Sequence, residues 1–401
     1  MQTTPSSERL HIALLGRYNS GKSTLMNALT AQQTAIVSAE PGTTTDPVRK
    51  AMEINGLGAV VLIDTPGLDD SSTLGKERME RTYRALDQTD IALVLFTNEG
   101  TDTEWGLVEE CRTREIPYIL VLAQVDRLEN YPAIAERIAH HAEREVIAIS
   151  AATGEGMTTL YDALRKVRPA EERLITEGFC SAGDEVMLVM PQDKSAPKGR
   201  LIQPQVQTIR ELLDRGCIPI VCTPDRMVEA LDKLRHAPKL IITDSQAFEE
   251  VYRHKPEAST LTSFSILFAR YKGDIELFVE GVKALGRLTP HSRILIAEAC
   301  SHTPQNEDIG RVKLPRILRK RFGEELQIDI VGGAEYPEDL TCYDMVIHCG
   351  ACMFNRKHVL SRIERARKQM QEAAKKLEFI EAAQYRDELL RLEDMLKERW
   401  G

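Results

Sequence analysis

Between His11 and Arg168, short apolar runs alternate with segments whose apolar residues recur at helical spacing. The runs are HIALLG, AVVLIDTPG, IALVLFT, YILVLAQVD and VIAISA. Apolar runs of this length bounded by turn formers predict strands buried on both faces. Their alternation with helices predicts a mainly parallel, doubly wound α/β domain. The rhythm then repeats at smaller scale: EVMLVMP, CIPIVCT and KLIITD read as strands, and VQTIRELLDRG reads as a helix stopped by Gly216. Further on, ELFVEGVKAL reads as a helix, and RILIAEAC and MVIHCG as strands. From Arg356 Pro is absent, Gly occurs only as Gly401, and Glu, Lys, Arg, Ala and Leu dominate, which predicts a helical tail folded as a hairpin. The expected division is three α/β domains over 1–170, 171–270 and 271–360, and a helical tail over 361–401.

The length of 401 residues fits two to four domains. A net charge of -9 argues against a general nucleic-acid binder, which carries a basic excess. The eight Cys form no dense framework and read as reduced thiols. Met1–Arg9 lacks an apolar signal region, and no apolar run is long enough to span a bilayer. The expectation is a cytoplasmic chain that does not enter membranes.

Gly16-Arg17-Tyr18-Asn19-Ser20-Gly21-Lys22-Ser23 fits the pattern G-x-x-x-x-G-K-[ST] between the strand HIALLG and the helix STLMNALT. Glycines let the backbone wrap phosphate, and the N–H groups of Ser20 to Thr24 at a helix N-terminus bind the anion. Lys22 is expected on the β/γ-phosphates and Ser23 on Mg²⁺. Asp64-Thr65-Pro66-Gly67 ends a strand, where an acidic residue holds Mg²⁺ through water. Pro41-Gly42-Thr43-Thr44-Thr45-Asp46 lies between the two, and Ser150-Ala151 closes the last strand.

This ordered set resembles the translation-factor class of GTPases, in the Era/TrmE-like branch. The resemblance implies Thr44 as the switch threonine, with Thr43 and Thr45 as alternates, and catalytic roles for Lys22, Ser23, Thr44, Asp64 and Gly67. It implies Gly16, Asn19, Ser20, Gly21, Lys22, Ser23, Thr24, Asp126, Ser150 and Ala151 around GTP or GDP. Two departures matter. The base-recognition element of the class is N-K-x-D, and this chain reads Ala123-Gln124-Val125-Asp126. Asp126 still offers an acceptor for both donors of the guanine edge, while a polar contact and an aliphatic stacking stem are missing. Leu68 stands where many GTPases place a water-orienting Gln, so slow hydrolysis is expected. Asn19 matches the TrmE-like position that helps bind K⁺, which implies K⁺ stimulation.

Far downstream stands a second constellation. Cys300-Ser301-His302 and His348-Cys349-Gly350-Ala351-Cys352 are separated by 45 residues. Thiolate and imidazole suit zinc or iron–sulfur chemistry. Both halves follow predicted strands, and parallel pairing of those strands would open them on one sheet edge. Three Cys leave a [4Fe–4S] cluster one ligand short. Candidates for the fourth are His302, His348, Glu307, Asp308 or an exchangeable water. A closed Cys₃His zinc site is the rival. Cys111, Cys180, Cys217, Cys222 and Cys342 lack partner spacing and read as core cysteines.

GTPase motifs, a middle domain and C-x-H…H-C-x-x-C, in that order, resemble the [FeFe]-hydrogenase maturation GTPase family HydF. The stretches Ala196 to Leu201, Pro204 to Gln207, and Leu240 to Gln246 with SFSILFARYKG after it resemble that family's middle domain. The resemblance spans roughly residues 8 to 365. It implies a [4Fe–4S] cluster on Cys300, Cys349 and Cys352 with a labile fourth position. It implies a homodimer through the middle domain. It also implies a scaffold that receives a transient di-iron precursor from the radical-SAM maturases HydE and HydG and passes it to apo-[FeFe]-hydrogenase. Beyond Arg362 the chain departs from the family, and Met370 to Leu392 resembles the UVR motif of the excision-repair B subunit. That resemblance implies a helical hairpin that docks another protein. Two alternatives remain: a TrmE/Era-like GTPase in RNA modification or ribosome assembly with a structural zinc, and a docking adaptor with a vestigial GTPase.

Overall fold

The computed structural model describes residues 4–31, 38–39, 48–68, 73–167, 173–191, 201–298, 309–333, 335–349 and 353–372. The chain forms two compact units. The first comprises residues 1–179, 199–211 and 353–358; the second comprises 180–198, 212–352 and 359–401.

The first unit is built on a seven-stranded sheet. In chain order its elements are β1 (Leu10–Gly16), α1 (Lys22–Ala31), β2 (Ser38–Ala39), β3 (Val48–Ile54), β4 (Gly58–Asp64), α2 (Thr73–Leu86), β5 (Ile91–Phe96), α3 (Asp102–Thr113), β6 (Tyr118–Leu122), α4 (Tyr131–Ala142), β7 (Val146–Ala148) and α5 (Met157–Val167). The strand order is β2-β3-β4-β1-β5-β6-β7. The pairs from β4 through β7 are parallel, whereas β3 runs antiparallel to both β2 and β4. Alternate residues of each strand enter opposite cores, as the two-residue period of a strand requires. Ile12 and Leu14 pack with Leu25, Met26 and Leu29 of α1, while Ala13 and Leu15 pack with Leu107, Val108 and Cys111 of α3. This explains the unbroken apolar runs, since a strand covered by helices on both faces has no polar side. β1 lies between β4 and β5, so connections leave to either side of it, and its carboxyl end is the switch point of the sheet, where α/β folds place ligands.

The second unit holds two smaller parallel sheets. One contains β8 (Glu185–Val189), β9 (Ile218–Cys222), β10 (Leu240–Thr243) and β11 (Thr260–Ser263), in the order β11-β10-β8-β9. The helix α6 (Gln203–Asp214), whose residues up to Glu211 belong to the first unit, precedes β9 and ends before Gly216, whose φ of 71° takes the left-handed conformation expected of a helix stop. Met187, Val189 and Ile241 form this core with Met227 of α7 (Met227–Asp232) and Val251 of α8 (Phe248–His254). Two further helices follow, α9 (Phe264–Lys272) and α10 (Ile275–Lys283). Ser263 caps α9 by accepting the Ile266 N–H.

The other sheet contains β12 (Arg293–Ala297), β13 (Gln327–Val331) and β14 (Met345–His348), in the order β13-β12-β14, with α11 (Leu314–Phe322) packed on it. Strands β11 and β13 were not among those expected from the apolar pattern. Both are short edge strands, TLTS and QIDIV, whose polar residues hide the pattern. A helix runs over 356–372, and the expected hairpin beyond it lies outside the described residues. No helix among the described residues is long and apolar enough to cross a membrane.

Candidate functional site

The phosphate-binding turn rises from the end of β1. Gly21 sits at φ 91°, and Asn19 at φ 59°, the left-handed region. Ser20 and Lys22 are buried within the turn. The Lys22 ammonium donates to the carbonyls of Gly16 at 2.9 Å and Arg17 at 2.6 Å, so its charge is held beneath the loop. Thr24 lies exposed at the start of α1.

Beside the loop, Ser23 Oγ donates to Asp64 Oδ2 at 2.7 Å. The second carboxylate oxygen, Oδ1, is buried with no hydrogen-bond partner. A buried carboxylate oxygen without a donor is suited to ligating a cation. Ser23 and Asp64, brought together across 41 residues, therefore fit a hard divalent ion. Gly67 follows on the same strand end. A β-carbon there would stand 2.6 Å from Tyr18 Cα and 2.8 Å from Tyr18 N, so only glycine lets this segment lie on the phosphate loop. Leu68 is buried in the apolar core and presents nothing polar to a water.

The segment expected to recognise the base follows β6. The Ala123 N–H donates to Phe96 O at 2.8 Å and the Val125 N–H to Ile149 O at 3.2 Å, which fixes the segment between neighbouring strand ends. Ala123 is buried. Asp126 is an exposed residue whose side chain is itself partly covered, with its carboxylate 3.9 Å from the Arg127 guanidinium. Ser150 is buried and its Oγ accepts the Thr153 N–H at 3.1 Å; Ala151 is half-buried beside it. The missing Lys does not leave the segment untethered: Gln124 Nε2 donates to Asn19 O at 2.7 Å. Thr43, Thr44 and Thr45, expected in the switch, lie outside the described residues.

In the second unit, β12 pairs in parallel with β14, and Ala297 stands opposite His348. The Cys349 N–H donates to Ala297 O at 3.1 Å. Cys349 is thus pinned where β12 ends and the chain runs on to Cys300. His348 Nδ1 lies 2.9 Å from Cys349 O and, as donor to that carbonyl, leaves Nε2 as the nitrogen with a lone pair. Nε2 is buried with no partner. Burial pushes the imidazole pKa down to about 4, against the raising effect of the Cys349 carbonyl, so the ring is neutral near pH 7. Glu298, one residue past β12, accepts from Arg311 Nε at 2.8 Å, and Gly310 passes so close that a β-carbon would overlap the carboxylate. The ends of the intervening stretch are thereby held together. Cys300, His302, Glu307, Asp308 and Cys352 lie outside the described residues. Among the described residues no group of three or more His, Cys, Asp or Glu gathers as a metal site.

Of the cysteines expected in cores, Cys111, Cys180 and Cys217 are buried and Cys222 is partly so. Burial pushes the Cys111 thiol up to about 12 and the Cys217 thiol up to about 11. Cys342 departs from the expectation and is exposed, because it sits in the turn before β14.

The stretch after the second cysteine motif carries contacts that no motif announced. Asn355 is buried in the first unit, where Nδ2 donates to Gln88 O at 2.7 Å and to Asp90 Oδ2 at 3.1 Å. Lys357 Nζ donates to Arg114 O at 2.8 Å. A buried Asn at the start of a charged helix gives no periodic signal, so sequence reasoning had nothing to find it by.

Comparison with known proteins adds four family matches. Residues 11–124 match the family described as 50S ribosome-binding GTPase. Residues 175–273 match the hydrogen maturase F dimerization domain, and 276–374 the hydrogen maturase F tetramerization domain. Residues 361–394 match the UvrB/uvrC motif. Among curated relatives, the tRNA modification GTPase MnmE of Nitrosomonas europaea is 33% identical over 190 residues, 47% of this chain and 41% of that protein. The GTPase Era of Geobacter metallireducens is 32% identical over 165 residues, 39% of this chain and 55% of that protein. The chain thus spans about half the length of the curated relatives it matches. A solved structure of Era with MgGDPNP and nucleotides of 16S ribosomal RNA aligns at TM-score 0.34 and 19% identity, covering 55% of this chain and 96% of Era. A GTP-binding GTPase domain, followed in order by both hydrogen maturase F domains and a UVR motif, places this chain in the HydF family.

Proposed function

We propose that this chain is a GTP-hydrolysing iron–sulfur scaffold that assembles or delivers the di-iron precursor of apo-[FeFe]-hydrogenase. The observation that carries the reading is the end of β14. There the unpartnered Nε2 of His348 lies beside Cys349, and Cys349 is tied to the strand that leads to Cys300. Cys300, Cys349 and Cys352 would hold a [4Fe–4S] cluster, with His348, His302, Glu307 or an exchangeable water as the fourth ligand. Bound there, the cluster would supply an iron with one replaceable ligand. The chain's own contribution is to present neutral imidazole and thiolate donors from one sheet edge and to close the Cys300 stretch through Glu298 and Arg311.

In the GTPase domain, the N–H groups of the phosphate loop and Lys22 would bind the phosphates. Ser23 and Asp64 would hold Mg²⁺, which neutralises charge on the transferring phosphoryl group, with Thr44 added from the switch. Asn19 would contribute to a K⁺ site. Hydrolysis would be slow, since buried Leu68 orients no water. Within the second unit, β9 is an edge strand with Ile218 and Val221 exposed, which supports a homodimer through the middle domain. The division at about residues 170, 270 and 360 assigns nucleotide, dimerisation, cluster and tail functions to successive segments. HydE, HydG and apo-hydrogenase would be the partners, and the UVR-like tail would dock a further protein.

The test is anaerobic reconstitution with iron and sulfide, then metal analysis and EPR after reduction. About four irons per chain with a reduced-cluster signal is the expected result. Cys349→Ala should lose the iron and keep GTP hydrolysis. Full iron content in that variant would sink the assignment. A second reading follows from the relatives named as tRNA modification GTPases: an RNA-acting GTPase with a structural zinc. Tightly held zinc without a cluster signal, together with RNA binding at physiological salt, would favour it.

A further inference from the structure

We infer that Cys180 and Cys217 form a redox-active dithiol, a modification site at which hydrogen peroxide closes a reversible disulfide across the entrances to β8 and β9. Neither residue belongs to the C-x-H…H-C-x-x-C constellation. Both are free thiols of the second unit, and each is 5% exposed. Their sulfurs lie 3.8 Å apart, although 37 residues separate them in sequence. A disulfide is about 2 Å long, so rotation of the two side chains has roughly 2 Å to close.

The backbone around the pair is stitched together. The Gly183 N–H donates to Gly216 O at 2.8 Å, and the Ile218 N–H donates to Asp184 O at 2.9 Å. The Ser181 N–H donates to Asp184 Oδ2 at 2.9 Å, and Arg215 Nη2 donates to Cys180 O at 2.6 Å. Beyond these bonds β8 and β9 run in parallel register from Glu185 and Ile218. The thiols therefore face each other from two segments that part only when the strand pair opens.

The hydrogen bonds also divide the roles. Arg215 Nη1 donates toward Cys180 Sγ at 3.7 Å, and the Cys217 S–H lies within reach of the same sulfur and of Ser181 O at 3.3 Å. Donors of this kind stabilise the anionic sulfur that attacks an oxidant. Burial first, and then the contact with Cys180, push the Cys217 thiol up to about 11, so it keeps its proton near pH 7. Cys180 is thus the attacking sulfur and Cys217 the resolving one. Burial favours a small neutral oxidant over a bulky one. The Cys180 thiolate attacks one peroxide oxygen, the O–O bond breaks, and the departing hydroxide takes a proton to become water. The Cys217 sulfur then attacks the sulfenic acid, the S–O bond breaks, and the Cys217 proton leaves with a second water. Two thiols are oxidised and one peroxide is reduced to two waters.

The experiment treats the reduced full chain with increasing hydrogen peroxide under native conditions, blocks remaining thiols with iodoacetamide, and digests with trypsin without reductant. Peptides 174–194 and 216–226 should appear linked, with fragmentation placing the bond at Cys217 and not at Cys222, and a dithiol reductant should reverse it. Amide exchange over 218–222 should slow by about tenfold or more once the bond has formed, because the cross-link restrains the opened chain. Cys217→Ser should halt at a Cys180 sulfenic acid captured by dimedone, and Cys180→Ser should leave Cys217 a thiol. The wild-type map needs neither variant. Alkylation of both Cys180 and Cys217 at a peroxide level that fully oxidises exposed Cys342 would overturn the inference. So would a bond from Cys180 to Cys222, or linkage that forms only after denaturation. Dimedone capture at Cys217 in Cys180→Ser, with none at Cys180 in Cys217→Ser, would overturn the assigned order of attack.

Discussion

Replacing Asn355 should loosen the stretch that directly follows the second cysteine motif. Its Nδ2 donates to Gln88 O at 2.7 Å and to Asp90 Oδ2 at 3.1 Å, and its Oδ1 accepts the His358 N–H at 3.2 Å. The last bond caps the helix over 356–372. Alanine removes that cap, at a cost of about 1 kcal/mol. It also leaves the Gln88 carbonyl and one Asp90 oxygen short of a donor, which costs about 1–3 kcal/mol. Asp90 retains the His11 N–H at 2.8 Å, so the lower part of that range applies. The total of about 2–3 kcal/mol corresponds to a roughly 30- to 150-fold shift in the opening equilibrium. A chain of two units has no single unfolding free energy, so local amide exchange is the proper measure. Exchange followed by mass spectrometry should show peptides over 353–372 opening by that factor in Asn355→Ala. Asn355→Asp keeps the capping oxygen but turns a donor into a charge facing Asp90, and should open further at pH 7. Exchange in Asn355→Ala within threefold of wild type, or full protection in Asn355→Asp, would refute the argument.

Two further outcomes follow from the same geometry. Gly67→Ala places a methyl against the backbone of Tyr18, which cannot rotate away, and should cost about 1–3 kcal/mol while lowering GTP affinity in a titration. In the three-stranded sheet, Arg293 donates to Asp329 at 2.7 and 2.9 Å and Tyr343 at 3.0 Å, which holds the carboxyl below its ordinary range. A depressed folded pKa means that the stabilisation is complete above the ordinary carboxylate value and is lost as pH falls through the folded one. Exchange in β12 and β13 should therefore rise below about pH 4, modestly because the pair is partly exposed, and Asp329→Asn should remove that acid-dependent part.

The GTPase domain was legible in the sequence because the determinants of its phosphate loop are local. A phosphate loop is set by glycine spacing between a strand and a helix, and its ligands are mainly backbone N–H groups that any correct turn supplies. The alternating apolar runs predicted the parallel sheet for a similar reason: burial on both faces leaves its mark within a few residues. The antiparallel β3 and the edge strands β11 and β13 escaped because their polar positions blur that mark. The two halves of the cysteine motif were expected to meet only if their strands paired in parallel, which no local pattern fixes. Only the parallel pairing of β12 with β14 sets Cys349 against Ala297 and leaves His348 Nε2 without a partner. Gln124 read from sequence as a lost base contact. Its left-handed backbone turns it instead onto Asn19, 105 residues away. Asn355 bonds to Gln88 across 267 residues and left no signal at all. The sequence by itself marked the buried strands, the phosphate-loop pattern and the two halves of the cysteine motif. Tertiary structure alone decided which of them meet, because contacts at such separations depend on how strands and helices pack and not on any local period.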